Sequence, residues 1–357
     1  MILDSLGIED FRCIERADLS LHPRANLISG PNASGKTSLL EAMFVLGRGR
    51  SFRTAHTETL VRRERPAFQL TGRVQADSVQ RPLGMRFGRS GMEVRYAGRE
   101  VSGLAELATV LPVQAIDPEV HRLIEGGPLE RRRYLDWGVF HVEPGFIAQW
   151  RKFQRALKQR NAALKAGQAE SLVRLWDRDL VEAGELVAAH RARYVAALAP
   201  HVAQVAERLL GAPVEIALNR GWAAERSLAE GVAASWTRDH ERGLTHSGPH
   251  RADLAVRFEG IAARDRISRG QQKLAAAALL LGQLRCDAEF GSEVTVLLVD
   301  DPAAELDSQH LERLLEEVRG LPAQLVVTAL DPGNPALGGL AQGHRFHVEH
   351  GAVTRLL

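Results

Sequence analysis

The apolar residues of the first 110 positions fall in short, often alternating runs. LGIEDFRCI, ADLSLH, AFQLTGRVQ, PLGMRFGR and MEVRYAG each carry such a run, with glycine or proline close by. A two-residue period puts apolar side chains on one face of a sheet, so these segments predict strands. Between 138 and 240 the pattern changes: alanine, leucine, arginine and glutamate dominate and glycines are few. FIAQWRKFQRALKQRNAALKAG has helical spacing, with Phe146, Trp150, Phe153 and Leu157 on one stripe. The segment that follows, SLVRLWDRDLVEAGELVAAHRARYVAALAPHVAQVAERLL, predicts one long helix or two broken near Gly184, with Pro200 kinking or interrupting it. Trp150 and Trp176 read as core residues. From about 241 the strand pattern returns. There, VTVLLVDD at 294–301 is a continuous apolar run ending in two acids, which suits a parallel strand buried on both faces.

Two motifs give this pattern a chemistry. The short apolar run ANLIS at 25–29 leads into GPNASGKT at 30–37 and then SLLEAMFVL, which reads as strand, glycine-bounded loop and helix. A phosphate needs backbone N–H groups turned inward, and Gly30 and Gly35 permit that path between Pro31, Asn32, Ala33 and Ser34. The helix beginning near Lys36 directs its positive end at the phosphates. Lys36 is expected to reach the β- and γ-phosphates, and Thr37, followed by Ser38, to place its hydroxyl on Mg²⁺. At the second motif, acids at the carboxyl end of a buried strand fall where open α/β sheets bind ligands. Asp300 is expected to hold Mg²⁺ through its water shell, and Asp301 to polarise the attacking water as general base. Asp301 also suits a plain turn cap. Together the motifs propose a site that binds, and hydrolyses, a nucleoside triphosphate.

Further along, ELDSQHLERLLEEV places Asp307 and Ser308 at the start of an amphipathic helix, where either serves as an N-cap. ISRGQQKLAAAALLLGQL places Ser268, Gly270 and Gln271 at the start of a long apolar helix. A serine, a glycine and helix-start N–H groups form a second anion site, or simply a cap. Two phosphate-binding helix starts in one chain suggest two chains sandwiching a nucleotide.

In this order the motifs resemble the ATP-binding-cassette ATPases of DNA repair. ISRGQQ is similar to their signature motif and ELD to their D-loop. Within them the chain resembles the RecF family of bacterial recombination mediators. The resemblance rests on the N-terminal stretch through RGRSFR, on PEVHRLIEGGPLERRRYLDWG at 118–138 and on SGPHRADL at 247–254. It implies an α/β, ABC-type P-loop ATPase head formed by residues 1–137 and 241–357, with an inserted helical lobe at 138–240. It further implies ATP and Mg²⁺ as ligands, held by Gly30 to Ser38 with Asp300 and Asp301, and a Q-loop glutamine at Gln114. Ser268, Gly270, Gln271 and the D-loop Asp307 would act toward nucleotide across an ATP-dependent homodimer. The resemblance also implies sequence-independent binding of double-stranded and gapped or junction DNA, and partnership with RecR, RecO and RecA. Two departures from transporter cassettes, Arg269 in the signature and Thr328 where a switch histidine is expected, imply slow hydrolysis.

Composition changes little in this picture. The chain of 357 residues carries 46 Lys and Arg against 44 Asp and Glu, which alone does not argue for nucleic acid. Distribution is more useful. Arg131–Arg133 are consecutive, with Glu130 and Asp136 as local partners. Arg151, Lys152, Arg155, Lys158, Arg160 and Lys165 crowd one helical segment and could neutralise backbone phosphates, or form a solvated face. Two distant cysteines offer neither a metal cluster nor a disulfide framework, which fits a cytoplasmic protein. The acidic start MILDSLGIEDFRC lacks a signal core, and LAAAALLLGQL is too short to span a membrane. His250 has no companions at metal-ligand spacing. A small-molecule P-loop kinase and a nucleotide-gated scaffold without useful hydrolysis are the rival readings.

Overall fold

The computed structural model describes residues 1–76, 79–291, 294–340 and 342–356. The chain divides into two compact units, one formed by Met1–Val120 with Glu293–Leu357, the other by His121–Ser292.

The first unit holds two sheets. The alternating N-terminal runs form an antiparallel sheet in the order Ile14–Ser20, Ile2–Phe11, Phe68–Ala76, Val79–Gly88, Gly91–Tyr96, Arg99–Glu100. Its alternation is visible in Phe68–Ala76, where Phe68, Leu70 and Val74 are buried while Gln69, Thr71 and Arg73 are exposed. The second sheet runs Val113–Ile116, Thr295–Val299, Ala323–Ala329, Ala25–Ser29, His344–Glu349, Ala352–Leu356. Its first five strands are mutually parallel, and the last pairs antiparallel. The continuous apolar segment expected to be buried on both faces forms the central strand Thr295–Val299, and its neighbour Ala323–Ala329 is buried at every position as well. The helix Lys36–Arg48 is buried nearly all round, and its Leu39, Leu40, Met43 and Leu46 join side chains of both sheets in one core. Buried with them is a charge, Glu41. Arg12 meets it in bidentate fashion at 2.8 and 2.9 Å, and the Ser51 hydroxyl donates at 2.5 Å, so the carboxylate is satisfied without water. This contact ties the RGRSFR run to the turn that follows the first strand.

The second unit is built on the helices Pro128–Val142, Phe146–Lys165, Asp177–Leu210 and Arg269–Glu289, with a three-stranded sheet in the order Ile261–Ala262, Asp253–Phe258, Val214–Asn219. Asp177–Leu210 is one helix of 34 residues containing both Gly184 and Pro200. Gly184 does not break it: a Cβ there would lie 2.5 Å from Leu228 Cδ2, so the glycine lets a neighbouring side chain approach. The stretch read as helical also contributes a strand, Val214–Asn219, whose alternation of Val, Ile and Leu with Glu, Ala and Asn is too short to stand out beside long helices. No helix among the described residues is long and apolar enough to cross a membrane.

Candidate nucleotide site

The phosphate loop is built by backbone conformation. Gly30 has φ 154, Ala33 φ 61 and Gly35 φ 116, which lie outside the region ordinary residues prefer. At Gly30 a Cβ would come within 2.2 Å of the Val348 carbonyl oxygen, so only glycine fits. Pro31, Asn32 and Ala33 form an exposed rim, while Ser34, Gly35, Lys36 and Ser38 are buried. Lys36 Nζ bridges the loop, donating to the carbonyls of Gly30 at 2.8 Å and Pro31 at 3.0 Å. Ser34 Oγ is buried without a hydrogen-bond partner. The geometry is a concave, glycine-bounded nest with a cation across it and a helix start beneath it, which is what a polyphosphate requires.

The acids arrive from the other end of the chain. Thr295–Val299 lies two strands from Ala25–Ser29, with Ala323–Ala329 between them. At its carboxyl end the Thr37 hydroxyl donates to Asp300 Oδ2 at 2.8 Å. Thr328, on the intervening strand, donates to Asp300 Oδ1 at 2.7 Å and accepts from the Asp301 backbone N–H at 2.8 Å. A hydroxyl and a carboxylate converging beside a phosphate nest are hard oxygen donors, so Thr37 and Asp300 fit Mg²⁺. Asp301 has φ 41 and ψ 57, and its Oδ1 is buried without a partner. Burial pushes its carboxyl above the ordinary range and Asp300 adds to this, while Lys36 opposes it. Such a group is suited to accept a proton.

Other expected residues are placed as follows. Gln114 is buried in the edge strand Val113–Ile116, two positions before Ile116, whose carbonyl accepts from Asp300 N–H at 2.9 Å. Asp307 is the N-cap of Ser308–Arg319, accepting from His310 N–H at 3.0 Å. Ser268, Gly270 and Gln271 belong to the second unit and are exposed. Ser268 caps Arg269–Glu289: its hydroxyl accepts from Gln271 N–H at 3.3 Å and its own N–H donates to Gln271 Oε1 at 3.0 Å. Both cap readings are thus realised, and neither conflicts with a role toward nucleotide.

The comparisons with known proteins settle the family. A family model described as the RecF/RecN/SMC N terminal domain matches residues 2–336. The chain is 40% identical over 356 residues to the DNA replication and repair protein RecF of Pectobacterium atrosepticum, covering 99% of each chain.

The chain belongs to the RecF family. It is likewise 40% identical over 363 residues to RecF of Stenotrophomonas maltophilia, again covering 99% of each chain. A solved structure of the recombination mediator protein RecF-ATP in the RecFOR pathway superposes with TM-score 0.88 at 27% identity, over 99% of this chain and 97% of that one. An Smc head domain from Pyrococcus furiosus, at TM-score 0.60 and 14% identity, over 99% of this chain and 95% of that one, shares the fold. The fold is accordingly an α/β ABC-type ATPase head with helical elements.

In this RecF-family chain the structure sorts the basic residues that sequence could only group. Arg160 is fully buried, paired to Asp239 at 2.8 Å and Asp177 at 2.7 Å, and so belongs to the core. Lys152 pairs with Asp179 and Glu182 at 3.2 Å. Arg151, Arg155, Lys158 and Lys165 are exposed and have no ion pair among the described residues. Spaced four, three and seven apart on a helix that contains no acidic residue, they form a stripe opposite buried Phe146, Phe153 and Leu157. Of the arginine triplet, only Arg133 uses Glu130. Arg131 forks onto Asp253 at 2.8 and 3.0 Å, Arg132 donates to the Ala252 carbonyl at 2.7 Å, and Asp136 is taken by Arg191. Arg131 and Arg132 of the first stretch therefore clasp the 247–254 stretch inside the second unit. His250 lies in that clasp, with Nε2 2.9 Å from the Thr245 carbonyl and its ring 5.9 Å from Phe153.

Proposed function

We propose that this chain is an ATP-operated DNA clamp of recombinational repair and replication restart. The observation that carries the reading is the exposed cap at Ser268, Gly270 and Gln271 in a unit other than the one holding the phosphate loop. Gly270 has nothing within 4 Å of where a Cβ would stand, so packing within the monomer does not require a glycine. A close approach by another molecule would.

ATP would bind on Gly30–Ser38, with Lys36 and the helix start neutralising phosphate charge and Thr37 and Asp300 holding Mg²⁺. When bound, the metal supplies charge stabilisation for the phosphoryl group being transferred. Asp301 would orient and deprotonate the attacking water, giving ADP and phosphate. Gln114 and Asp307 would line the site. The second copy's Ser268 would meet the γ-phosphate, so ATP favours the closed pair and ADP does not. Hydrolysis would be slow and stimulated by DNA. Closure would present the stripe Arg151, Arg155, Lys158 and Lys165 to phosphates, giving salt-sensitive, sequence-independent binding to duplex, gapped and junction DNA. The domain plan in this reading follows the family resemblance, an ATPase head of 1–137 and 241–357 with a helical lobe of 138–240, in the cytoplasm. It differs from the two compact units in assigning 121–137 and 241–292 to the head. The RecFOR pathway of the solved relative supports RecR and RecO as partners, and loading of RecA would be the outcome.

Sedimentation velocity with Mg²⁺, a non-hydrolysable ATP analogue and a DNA duplex tests this. The expected result is a dimer with the analogue, none with ADP, and co-sedimentation of duplex with the dimer. A chain that binds the analogue yet stays monomeric refutes the clamp. In single-turnover assays Asp301→Asn should retain the dimer and lose hydrolysis; wild-type turnover in that variant refutes the role given to Asp301.

A further inference from the structure

The strand Ala323–Ala329 is buried at every position, and its sequence AQLVVTA contains two polar side chains. Gln324 is accounted for by the fold: it exchanges hydrogen bonds with the Leu3 N–H and carbonyl at 2.8 Å and so fastens the N-terminal strand. Thr328 is not used in this way. It is 0% exposed, lies beside Ile28 at the end of the phosphate-loop strand, and spends both its donor and its acceptor on the two acids.

We infer that Thr328 is a positioning residue for the ATPase, one that acts through Asp300 and Asp301 at once. The inference rests on the nucleotide-site reading above. Asp300 has two oxygens and two hydroxyl neighbours. Thr328 takes Oδ1 at 2.7 Å, and Thr37 lies nearer Oδ2, at 2.8 Å, than Oδ1, at 3.1 Å. The Thr328 bond thereby fixes the carboxylate's rotation and leaves Oδ2 directed at the hydroxyl that would ligate the metal. The second bond acts on the backbone. Asp301 occupies the left-handed region, which few L-residues besides Asn and Asp adopt, and which a fixed hydrogen bond helps hold. Its N–H is held by the Thr328 oxygen, so one hydroxyl sets both the metal-facing oxygen of Asp300 and the turn that aims Asp301. Outer-shell partners of this kind contribute about 10- to 100-fold to metal affinity or activity.

The test compares Thr328→Val, which keeps the branched shape in a strand but removes the hydroxyl, with Thr328→Ser, which keeps the hydroxyl and removes the methyl. Binding of a fluorescent ATP analogue is titrated in MgCl₂ and in EDTA, and thermal unfolding is followed in EDTA. Wild type should bind more tightly with Mg²⁺. Thr328→Val should lose about 10-fold or more of that Mg²⁺-dependent gain, with EDTA binding unchanged, and kcat should fall more than KM rises. Thr328→Ser should restore the gain. An unchanged Mg²⁺ gain in Thr328→Val overturns the inference. So does an equal loss in both media, or a serine variant as impaired as valine, since each marks Thr328 as packing only. If Thr328→Val unfolds, the serine variant decides alone: its Mg²⁺ gain matches wild type or the inference fails. Wild type that binds no analogue in either medium sinks the nucleotide reading itself, a separate result.

Discussion

The Thr37 hydroxyl and Asp300 Oδ2 lie 2.8 Å apart although 263 positions of chain separate the residues. Parallel pairing accounts for this. The strand before Thr37 and the strand before Asp300 both flank Ala323–Ala329, in the same direction, so their carboxyl ends share one edge of the sheet. Neither end of the chain forms a site without the other.

Lys36 bridges the loop by donating to two carbonyls, so its ammonium is already held at the nest. Lys36→Ala should weaken ATP binding about 10- to 100-fold, the worth of one charge-assisted hydrogen bond. It should abolish ATP-driven dimers at moderate ATP. Titration of a fluorescent analogue beside sedimentation checks both; ATP-driven dimers at wild-type affinity would refute the assigned role.

Gly270 separates monomer stability from assembly. A Cβ there meets nothing within 4 Å, so Gly270→Ala should leave the monomer unchanged or stabilise it by up to about 1 kcal/mol. The same substitution should weaken the ATP-bound dimer, and Ser268→Arg should block it while leaving monomer ATP binding intact. Denaturant melts and dimer constants measured on one preparation distinguish the two effects. If both variants dimerise like wild type, the signature helix plays no part across the interface.

How much of this was legible in the sequence depends on the range of the interaction. The loop at 30–37 and the strand at 294–301 were readable because each is a local backbone requirement, glycine at a positive φ in one case and a doubly buried strand in the other. The caps at Ser268 and Asp307 were readable for the same reason. In the sequence Thr328 stands out only as occupying the position of a switch histidine. Its role depends on three strands lying in one order, which no window of residues specifies, although a threonine inside an apolar strand was a usable signal. The arginines show the same limit. Arg160 and Arg155 look alike in sequence, but tertiary pairing puts one in the core and leaves the other in solvent.

That difference between arginines is itself testable. Replacing Arg151, Arg155, Lys158 and Lys165 with alanine should leave the fold intact. If all four meet phosphates, the slope of log affinity for duplex against log salt should become shallower by about 3 to 4. The stripe spans roughly 21 Å at 1.5 Å per residue, enough to follow a duplex backbone. Arg160→Ala should instead destabilise the protein by about 3–5 kcal/mol, because the fully buried Asp239 would lose its guanidinium and keep only His246 and Ser235. Salt titrations by fluorescence anisotropy, with urea melts, measure these outcomes. An unchanged slope in the quadruple variant would remove the stripe from the DNA surface.

Two buried groups in the second unit should give opposing pH dependences of stability. Burial pushes the Asp287 carboxyl up to about 7, against the Tyr194 hydroxyl bond at 2.5 Å that pulls it down. The native state therefore holds that proton more tightly than the unfolded chain. Its contribution is present in full below about pH 4 and is lost as pH rises to about 7. His250 behaves oppositely. Burial lowers it to about 4, with the Thr245 carbonyl resisting, so its contribution is present above 6.5 and lost as pH falls toward 4. At 1.36 kcal/mol per unit, each amounts to no more than about 3–4 kcal/mol, and between pH 4 and 6.5 they largely cancel. Asp287→Asn should unmask a stability that rises with pH across that window, and His250→Gln one that falls from pH 4 to 7. Urea midpoints of the two variants and wild type at constant ionic strength read this directly. Parallel profiles for all three proteins would show that these groups keep their ordinary proton affinities in the folded chain.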